Sequence, residues 1–334
     1  MLNARTLAAF VLPLALWTST ACADPITLKA AFWSSDRSVL YQATMGPLID
    51  AVNGQPGNLK IVLYAGGVLG RDLAQQPQVV REGTADIAFV VPGYTPDLFP
   101  DNSIVELPGL FRNAREASLV YTRLIAKNAL SGLEDFVVLG AYVTQPETIH
   151  SRVPILSVDD LKGKRIRVNN PMQAAVLGLL GTSPVRMEVN KVASALSTGA
   201  IDATTIPMTP LADYGVKRLA TYHFLLTTSG APLLVLMNRK KFESLPEAER
   251  ALLRKYSGEW AAEQFFKLYD GSENEVLRQL QSEAGRHVIE PSAADLARAR
   301  AAFETVTAEW IAKSGRNAAL LEDLKTERAA IRKQ

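Results

Sequence analysis

Hydrophobic and polar positions along the first half of the chain alternate between strand-like and helix-like spacing. Apolar stretches of strand length occur at 26–33, 59–64 and 86–91. Beyond Asp86, the last is apolar throughout, as in a strand that is buried on both faces. Between these stretches, 39–52 and 72–82 have the spacing of amphipathic helices. This alternation predicts right-handed crossovers and a largely parallel sheet.

A second unit with the same alternation begins near Phe136, after a break at 107–109 and a predicted helix at 114–130. Its predicted strands are 137–142, 165–168, 184–187, 203–205 and 233–237. Two such units in a chain of 334 residues favour two lobes over a single core.

A long helical pattern follows the last of these strands. Pro246 suits the first position of a helix, and Leu252, Tyr256 and Trp260 repeat at intervals of four residues. A continuous helix to Glu283 would be about 60 Å long at about 1.5 Å per residue, which exceeds one lobe. Either one helix braces two lobes, or two helices join near Gly271.

The N-terminus has the pattern of a signal peptide. Arg5 precedes an apolar run at 7–17, and Ala21-Cys22-Ala23 offers small residues for cleavage after Ala23. The run is too short for a membrane anchor, which needs about 20 apolar residues, and Ser19 argues against a lipoprotein. We therefore expect export to the periplasm, and a mature chain without its only cysteine and hence without disulfides.

Charge and motifs exclude several classes of function. Lysine and arginine number 36 against 34 acidic residues and show no basic cluster, so we expect neither a nucleic-acid nor a membrane-surface partner. His150, His223 and His287 are far apart in sequence, which argues against a metal site. No Walker loop, Gly-x-Ser-x-Gly or His-Glu-x-x-His motif is present. We expect a monomer that uses no cofactor.

Glycines at 66, 67 and 70 follow the second predicted strand. A dinucleotide fingerprint needs glycines at its first, third and sixth positions, after the first strand. The spacing therefore predicts a tight turn that leads into a helix.

The segment 162–168 carries two arginines on a predicted strand. Arg165 and Arg167 lie on one face because side chains alternate along a strand. Such a pair is usually a solvated edge, but the planar guanidinium is also the group best suited to bind a carboxylate through two parallel hydrogen bonds. Composition alone does not decide between these interpretations.

A series of motifs resembles the periplasmic receptors of tripartite ATP-independent periplasmic (TRAP) transporters. In order they are 64–70, 80–83 with Asp86, Pro100, 107–111, 160–168, 181–184, 195–202 and Pro207. No single motif is specific, but together they extend the resemblance over about residues 27–290.

The resemblance implies an α/β, two-lobed periplasmic-binding-protein fold of type II-like topology, with a long helix shared by both lobes. We place the signal peptide at 1–23 and lobe I at 24–140 plus about 230–255. Lobe II then comprises about 141–229 plus about 256–334, including bracing C-terminal helices.

The resemblance also implies that the protein captures a small organic acid between the lobes and delivers it to the membrane subunits of a TRAP transporter. Arg167 would pair with the ligand carboxylate, and Arg165 would lie at the surface. Asp72, Val91 and Val189 are further candidates for ligand binding.

Three residues depart from related receptors and bear on the ligand. Glu147 stands near a position that is often arginine in dicarboxylate and sialic-acid receptors, and Ile206 and Trp33 replace polar residues. Trp33 and Ile206 also suit ordinary core positions. The departures favour a monocarboxylate with an aromatic or branched aliphatic part, such as a 2-oxo or 2-hydroxy acid. A C4-dicarboxylate, an enzyme on the same scaffold and a receptor for a sensor protein remain alternatives.

Overall fold

The computed structural model describes residues 25–333, apart from the side chain of Asp270. The expected signal peptide and its cleavage site lie outside these residues. Within the described range, no helix is both long and apolar enough to cross a membrane.

Eleven strands and eleven α-helices make up the described chain. The strands are β1 (Ile26–Ala31), β2 (Leu59–Tyr64), β3 (Ile87–Val90), β4 (Phe136–Val143), β5 (Thr148–Ser151), β6 (Arg165–Val168), β7 (Ser183–Arg186), β8 (Ala203–Ile206), β9 (Tyr222–Phe224), β10 (Pro232–Asn238) and β11 (His287–Ile289). The helices are α1 (Val39–Ala43), α2 (Met45–Asn53), α3 (Gln76–Arg81), α4 (Ala114–Ala126), α5 (Pro171–Leu179), α6 (Val192–Thr198), α7 (Arg239–Glu243), α8 (Glu247–Lys255), α9 (Glu259–Ser282), α10 (Ala293–Ala312) and α11 (Gly315–Ile331).

The strands form two sheets. The first has the order β2-β1-β3-β10-β4, with β1 parallel to β2 and β3, and with β10 antiparallel to both of its neighbours. Strand β3 is buried at every position, as its uniformly apolar sequence predicts. The second sheet has the order β11-β9-β5-β8-β6-β7 and includes three short strands, β5, β9 and β11, that the sequence pattern does not reveal.

The chain passes between the sheets in two neighbouring segments, one after β4 and one before β10. Thr144 N donates to Ala231 O at 3.0 Å, and Glu147 N donates to Ser229 O at 3.1 Å. Gly230 lies at the closest approach, where a β-carbon would be 2.4 Å from Thr144 O. Only glycine fits here, since any side chain would force the two segments apart.

Helix α9 confirms the expected long helix shared by both lobes. It contacts α1, α4 and β4 on the side of the first sheet, and β11 on the side of the second. The alternative of two helices joined near Gly271 is wrong, because α9 continues through that residue. The break falls at Gly258, whose φ of 62° and ψ of −129° are open only to glycine. Helices α10 and α11 pack on α5 and α4 and so brace both halves.

The helix predicted at 39–52 is interrupted. The structure has two helices, α1 and α2, with Thr44 between them at φ −117° and ψ −83°. Pro47 accounts for the break, because it has no N–H to donate to Ala43 and its ring would clash with that carbonyl.

Candidate functional site: the interlobe cavity

A cavity of about 60 Å³ lies between the two sheets. It is bounded by residues at the carboxyl ends of parallel strands, where α/β proteins bind ligands. Trp33 follows β1, Val91 follows β3, Asn169 follows β6 and Ile206 ends β8. The full lining is Trp33, Leu40, Val91, Tyr94, Thr144, Glu147, Arg167, Asn169, Val189, Ile206, Pro207, Pro210, Tyr214, Ala231, Leu233 and Tyr269.

Arg167 lies on β6 and is only 1% exposed. Its Nε donates to the carbonyl of Met187 at 2.9 Å, and its Nη1 donates to the carbonyl of Thr205 at 2.8 Å. Its Nη2 donates to the hydroxyl of Tyr94 at 2.9 Å. These three bonds fix the plane of the guanidinium at the cavity wall.

The charge of Arg167 has no counter-ion within ion-pair distance among the described residues. A guanidinium has five N–H donors, and three are used, so Nη1 and Nη2 each retain one. Two N–H groups on adjacent nitrogens match the two oxygens of a carboxylate. A buried cation of this kind is stabilised by an anion bound beside it.

Tyr94 completes the polar end of the cavity. Its hydroxyl oxygen accepts from Arg167 Nη2 and from the backbone N–H of Val189 at 3.0 Å. Burial raises the pKa of Tyr94, and the charge of Arg167 offsets part of this effect. The phenol therefore stays neutral. Because its oxygen accepts from two donors, its own O–H points away from Arg167 Nη2 and from the N–H of Val189.

Glu147 is also buried in the cavity wall, at 2% exposure. Its Oε1 accepts from Asn169 Nδ2, and its Oε2 accepts from Gln173 Nε2 at 2.8 Å. Burial raises the pKa of Glu147, while Arg167 and these hydrogen bonds act in the opposite direction. The cavity thus contains one guanidinium and one carboxyl group that are held by separate partners.

The rest of the wall is aromatic and aliphatic. The rings of Trp33 and Tyr214 stack across the cleft, with centroids 5.7 Å apart and planes inclined by 17°. Tyr269 reaches the cavity from α9. Val91, Val189 and Ile206 supply branched aliphatic surface, and Leu40, Pro207, Pro210 and Leu233 extend it.

Six of the seven residues proposed from the sequence line this one cavity: Trp33, Val91, Glu147, Arg167, Val189 and Ile206. Asp72 lies outside it. Asp72 is exposed, and its Oδ1 accepts from Ala74 N at 2.9 Å in the turn before α3. Arg165 is exposed as expected, and its side chain pairs with Asp202 at 2.9 Å.

Sequence reasoning missed Tyr94, Asn169, Tyr214 and Tyr269. Asn169 had an available signal, because it stands two residues after Arg167 and alternation places it on the same face. Tyr94 also had a sequence signal, because it follows the parallel strand β3, and ligands bind beyond the carboxyl ends of such strands. Tyr214 and Tyr269 carried no such signal, since each depends on how distant segments pack.

The structure brings together two of the three histidines. His150 and His223 lie on neighbouring strands β5 and β9, with their Nδ1 atoms 2.8 Å apart. Burial lowers the pKa of His150 to about 3 and that of His223 to about 4, so both are neutral at pH 7. No group of three metal-ligating side chains is found in the part of the chain that the structure describes.

Comparison with known proteins gives relatives among transport receptors. The chain is 30% identical to the 2,3-diketo-L-gulonate-binding periplasmic protein YiaO of Escherichia coli over 244 residues, 68% of this chain and 74% of that protein.

Solved structures give the same picture. A marine metagenome TRAP solute binding protein specific for aromatic acid ligands, from an unidentified microbe and in complex with metahydroxyphenylacetate, matches with a TM-score of 0.85 and 29% identity. The match covers 91% of this chain and 99% of that one. A TRAP solute binding protein of Rhodoferax ferrireducens, in complex with copurified benzoate, matches with a TM-score of 0.82 over 92% and 99% of the two chains. Its 23% identity shows the fold alone.

These matches confirm the predicted two-lobed fold. The model of the bacterial extracellular solute-binding protein family 7, DctP, covers residues 31–314. TRAP solute-binding proteins bind small organic acids in the periplasm and work with TRAP membrane components. The chain belongs to this family, and it is a TRAP solute-binding protein.

Proposed function

We propose that this receptor binds a small monocarboxylate with an aromatic body, and that Arg167 holds the carboxylate. The observation that carries the proposal is the guanidinium of Arg167 at one end of a mainly aromatic and aliphatic cavity. It is buried without a counter-ion within ion-pair distance among the described residues. A carboxylate supplies the missing anion, and an aromatic ring buries apolar surface worth about 25 cal/mol per Å².

Glu147 argues against a second carboxylate on the ligand. It is buried in the same wall and already interacts electrostatically with Arg167. A dicarboxylate would bring a second anion into a cavity that offers one guanidinium and one carboxyl group. A second carboxylate would be buried there without a cation of its own, which is costly, so we expect succinate and malate to be rejected.

The character of the cavity supports a ring-bearing ligand. Its wall is mainly aromatic and aliphatic, which suits a ring better than the many hydroxyl groups of a sugar acid. Trp33, Tyr214 and Tyr269 line the cavity with aromatic surface, and aromatic groups gain from stacked or edge-on contacts beyond the area they bury. The similar receptor from the marine metagenome is specific for aromatic acid ligands, which agrees with this choice.

We further propose that the protein reaches the periplasm through cleavage after Ala23 and delivers its ligand to TRAP membrane subunits. The intact mass of the periplasmic form tests the first part. A mature chain beginning at Asp24 is expected, whereas a lipid adduct on Cys22 or retention of residues 1–23 would contradict it.

Calorimetry on protein that has been unfolded and refolded, to remove copurified ligand, tests the ligand class. Benzoate, phenylacetate and mandelate are compared with succinate, malate and sialic acid. We expect binding of at least one aromatic acid and none of the dicarboxylates. Mass spectrometry of the recovered ligand should find it chemically unchanged, as a receptor requires. Binding of a dicarboxylate alone would overturn the proposal.

A further inference from the structure

Trp33 is held in one orientation by two neighbouring aromatic rings. Phe32 stacks on it at 5.8 Å with planes inclined by 23°, and Tyr214 stacks at 5.7 Å with planes inclined by 17°. The indole is only 8% exposed and lines the cavity. It therefore cannot turn its N–H towards solvent without breaking both stacks.

The indole Nε1 of Trp33 is buried and has no hydrogen-bond partner among the described residues. Burial of an unpaired donor is unfavourable, and buried tryptophan N–H groups usually find an acceptor. A phenylalanine would provide the ring surface for both stacks without this cost. The N–H is thus the part of Trp33 that the packing of the protein does not use.

We propose that Trp33 Nε1–H donates a hydrogen bond to a second oxygen of the ligand, outside the carboxylate. The ligand is then an oxygenated aromatic acid, with a hydroxyl or oxo group on its ring or its side chain. This inference rests on the proposed function and makes it more specific.

The carboxylate has enough donors without Trp33. Arg167 retains two N–H groups, and the Tyr94 hydroxyl adds a third donor beside them. The second oxygen must be neutral, because no cationic side chain other than Arg167 lines the cavity among the described residues. A hydroxyl or oxo group meets both conditions, since each accepts a hydrogen bond and neither carries charge.

Trp33→Phe is the variant that removes the N–H and keeps an aromatic ring in the stack. Calorimetry compares matched acids that differ by one oxygen: benzoate with its three monohydroxy derivatives, and phenylacetate with mandelate. In the unmodified protein, at least one oxygenated acid should bind about tenfold more tightly than its parent, because it pairs a donor that stays unpaired beside the parent. Trp33→Phe should remove that difference, so that the oxygenated acid binds no more tightly than its parent.

Trp310→Phe is the matched control. Trp310 is also buried, but its Nε1 donates to Ser103 Oγ at 2.9 Å and it does not line the cavity. This variant should retain the preference for the oxygenated acid. The indole N–H resonance of Trp33 in the unmodified protein gives a second measurement that needs no cavity variant: it should shift more with the oxygenated acid than with its parent.

Two results would overturn the inference. A preference for the oxygenated acid that persists in Trp33→Phe, with affinity for both acids lowered alike, would mean that the N–H does not bond to the second oxygen. Equal affinities for every matched pair in the unmodified protein would mean that no second oxygen is recognised. Failure of the proposed function would be different, because then no aromatic acid would bind at all.

Discussion

Two arginines on β6 differ in exposure and in their bonding partners, although their side chains are identical. Arg165 is exposed and pairs with Asp202, whereas Arg167, two residues later, is buried and bonded to two backbone carbonyls. Alternation along a strand places both on one face, so periodicity could not distinguish them. The family resemblance implies Arg167, and its burial and contacts support the proposal that it binds the carboxylate.

Replacement of Arg167 tests the carboxylate clamp. Arg167→Ala should weaken binding of the ligand acid by about 2–5 kcal/mol, the range for truncating one partner of a buried charged pair. Arg165→Ala is the control and should change binding by less than about 0.5 kcal/mol, since its ion pair is at the surface. Isothermal titration calorimetry measures both. Similar losses from the two variants would contradict the assignment.

Glu106 gives the stability of the protein a dependence on pH. Burial, and then the charge of Glu147, raise the pKa of Glu106 from an ordinary value of 4.5 to about 8, while Arg186 lowers it. The folded protein thus holds this proton more tightly than the unfolded chain. The stabilisation is fully present below pH 4.5 and is lost as pH rises towards 8.

Glu106→Gln should flatten this pH dependence. At about 1.4 kcal/mol per pH unit, the free energy of unfolding of the parent protein should fall relative to the variant by a few kcal/mol between pH 5 and 8. Urea denaturation across this range measures the difference. Parallel pH profiles for the two proteins would show that Glu106 is already ionised at pH 5.

At the scale of helices and strands, the sequence predicts the elements whose apolar patterns are long. Strands β2 and β6 fall on the predicted residues, and β3, β4 and β10 fall within two residues of them. Strands β5, β9 and β11 have only three or four residues each, and they include all three histidines. Each contains a histidine among its few residues, so no apolar run marks it as a strand, and its pairing is decided by tertiary contacts.

The residues of the candidate site also divide into those that the sequence pattern places and those that only tertiary packing places. Residues on or directly after predicted strands, such as Arg167, Val91 and Ile206, could be found from the sequence. Tyr214 lies beyond a short 3-10 helix and Tyr269 lies within α9. Their distance from the strands means that only the packing of α9 and of the second lobe brings them to the ligand cavity.

Gly230 should be irreplaceable in the paired crossing segments. Gly230→Ala would place a β-carbon 2.4 Å from Thr144 O, and the resulting displacement should lower the free energy of unfolding by about 1–3 kcal/mol. Gly271→Ala is the control, because Gly271 lies inside α9 with nothing within 4 Å of its β-position. That change should instead stabilise by about 0.5–1 kcal/mol. Thermal unfolding distinguishes the two signs.

At the scale of the whole molecule, side chains of the second lobe hold backbone groups of the first. Asp213 Oδ2 accepts from Val39 N at 3.0 Å, and Glu188 Oε1 accepts from Ala74 N at 2.9 Å. These bonds lie at the cleft and require the lobes to be close together. They therefore stabilise the closed arrangement without reaching into the ligand cavity, which neither carboxylate lines.

Loss of one such bond should shift the protein towards an open form. Glu188→Ala should weaken ligand binding about three- to tenfold, because affinity is reduced in proportion to the population of the closed state. Small-angle scattering should show a larger radius of gyration for this variant at partial saturation. Lys191→Ala, which removes only the ion-pair partner of Glu188, should behave like the parent protein. An unchanged affinity for Glu188→Ala would exclude a role in closure.

The buried charge of Arg167 also affects how readily the receptor closes when it carries no ligand. Closing the lobes around Arg167 removes water from a cation, and only an anion of the right shape compensates for that loss. Closing without ligand is therefore less favourable in free energy than closing around a bound anion. A membrane partner that binds only the closed form would therefore select receptors that carry ligand. Empty receptors would then not compete with loaded ones for binding to that partner.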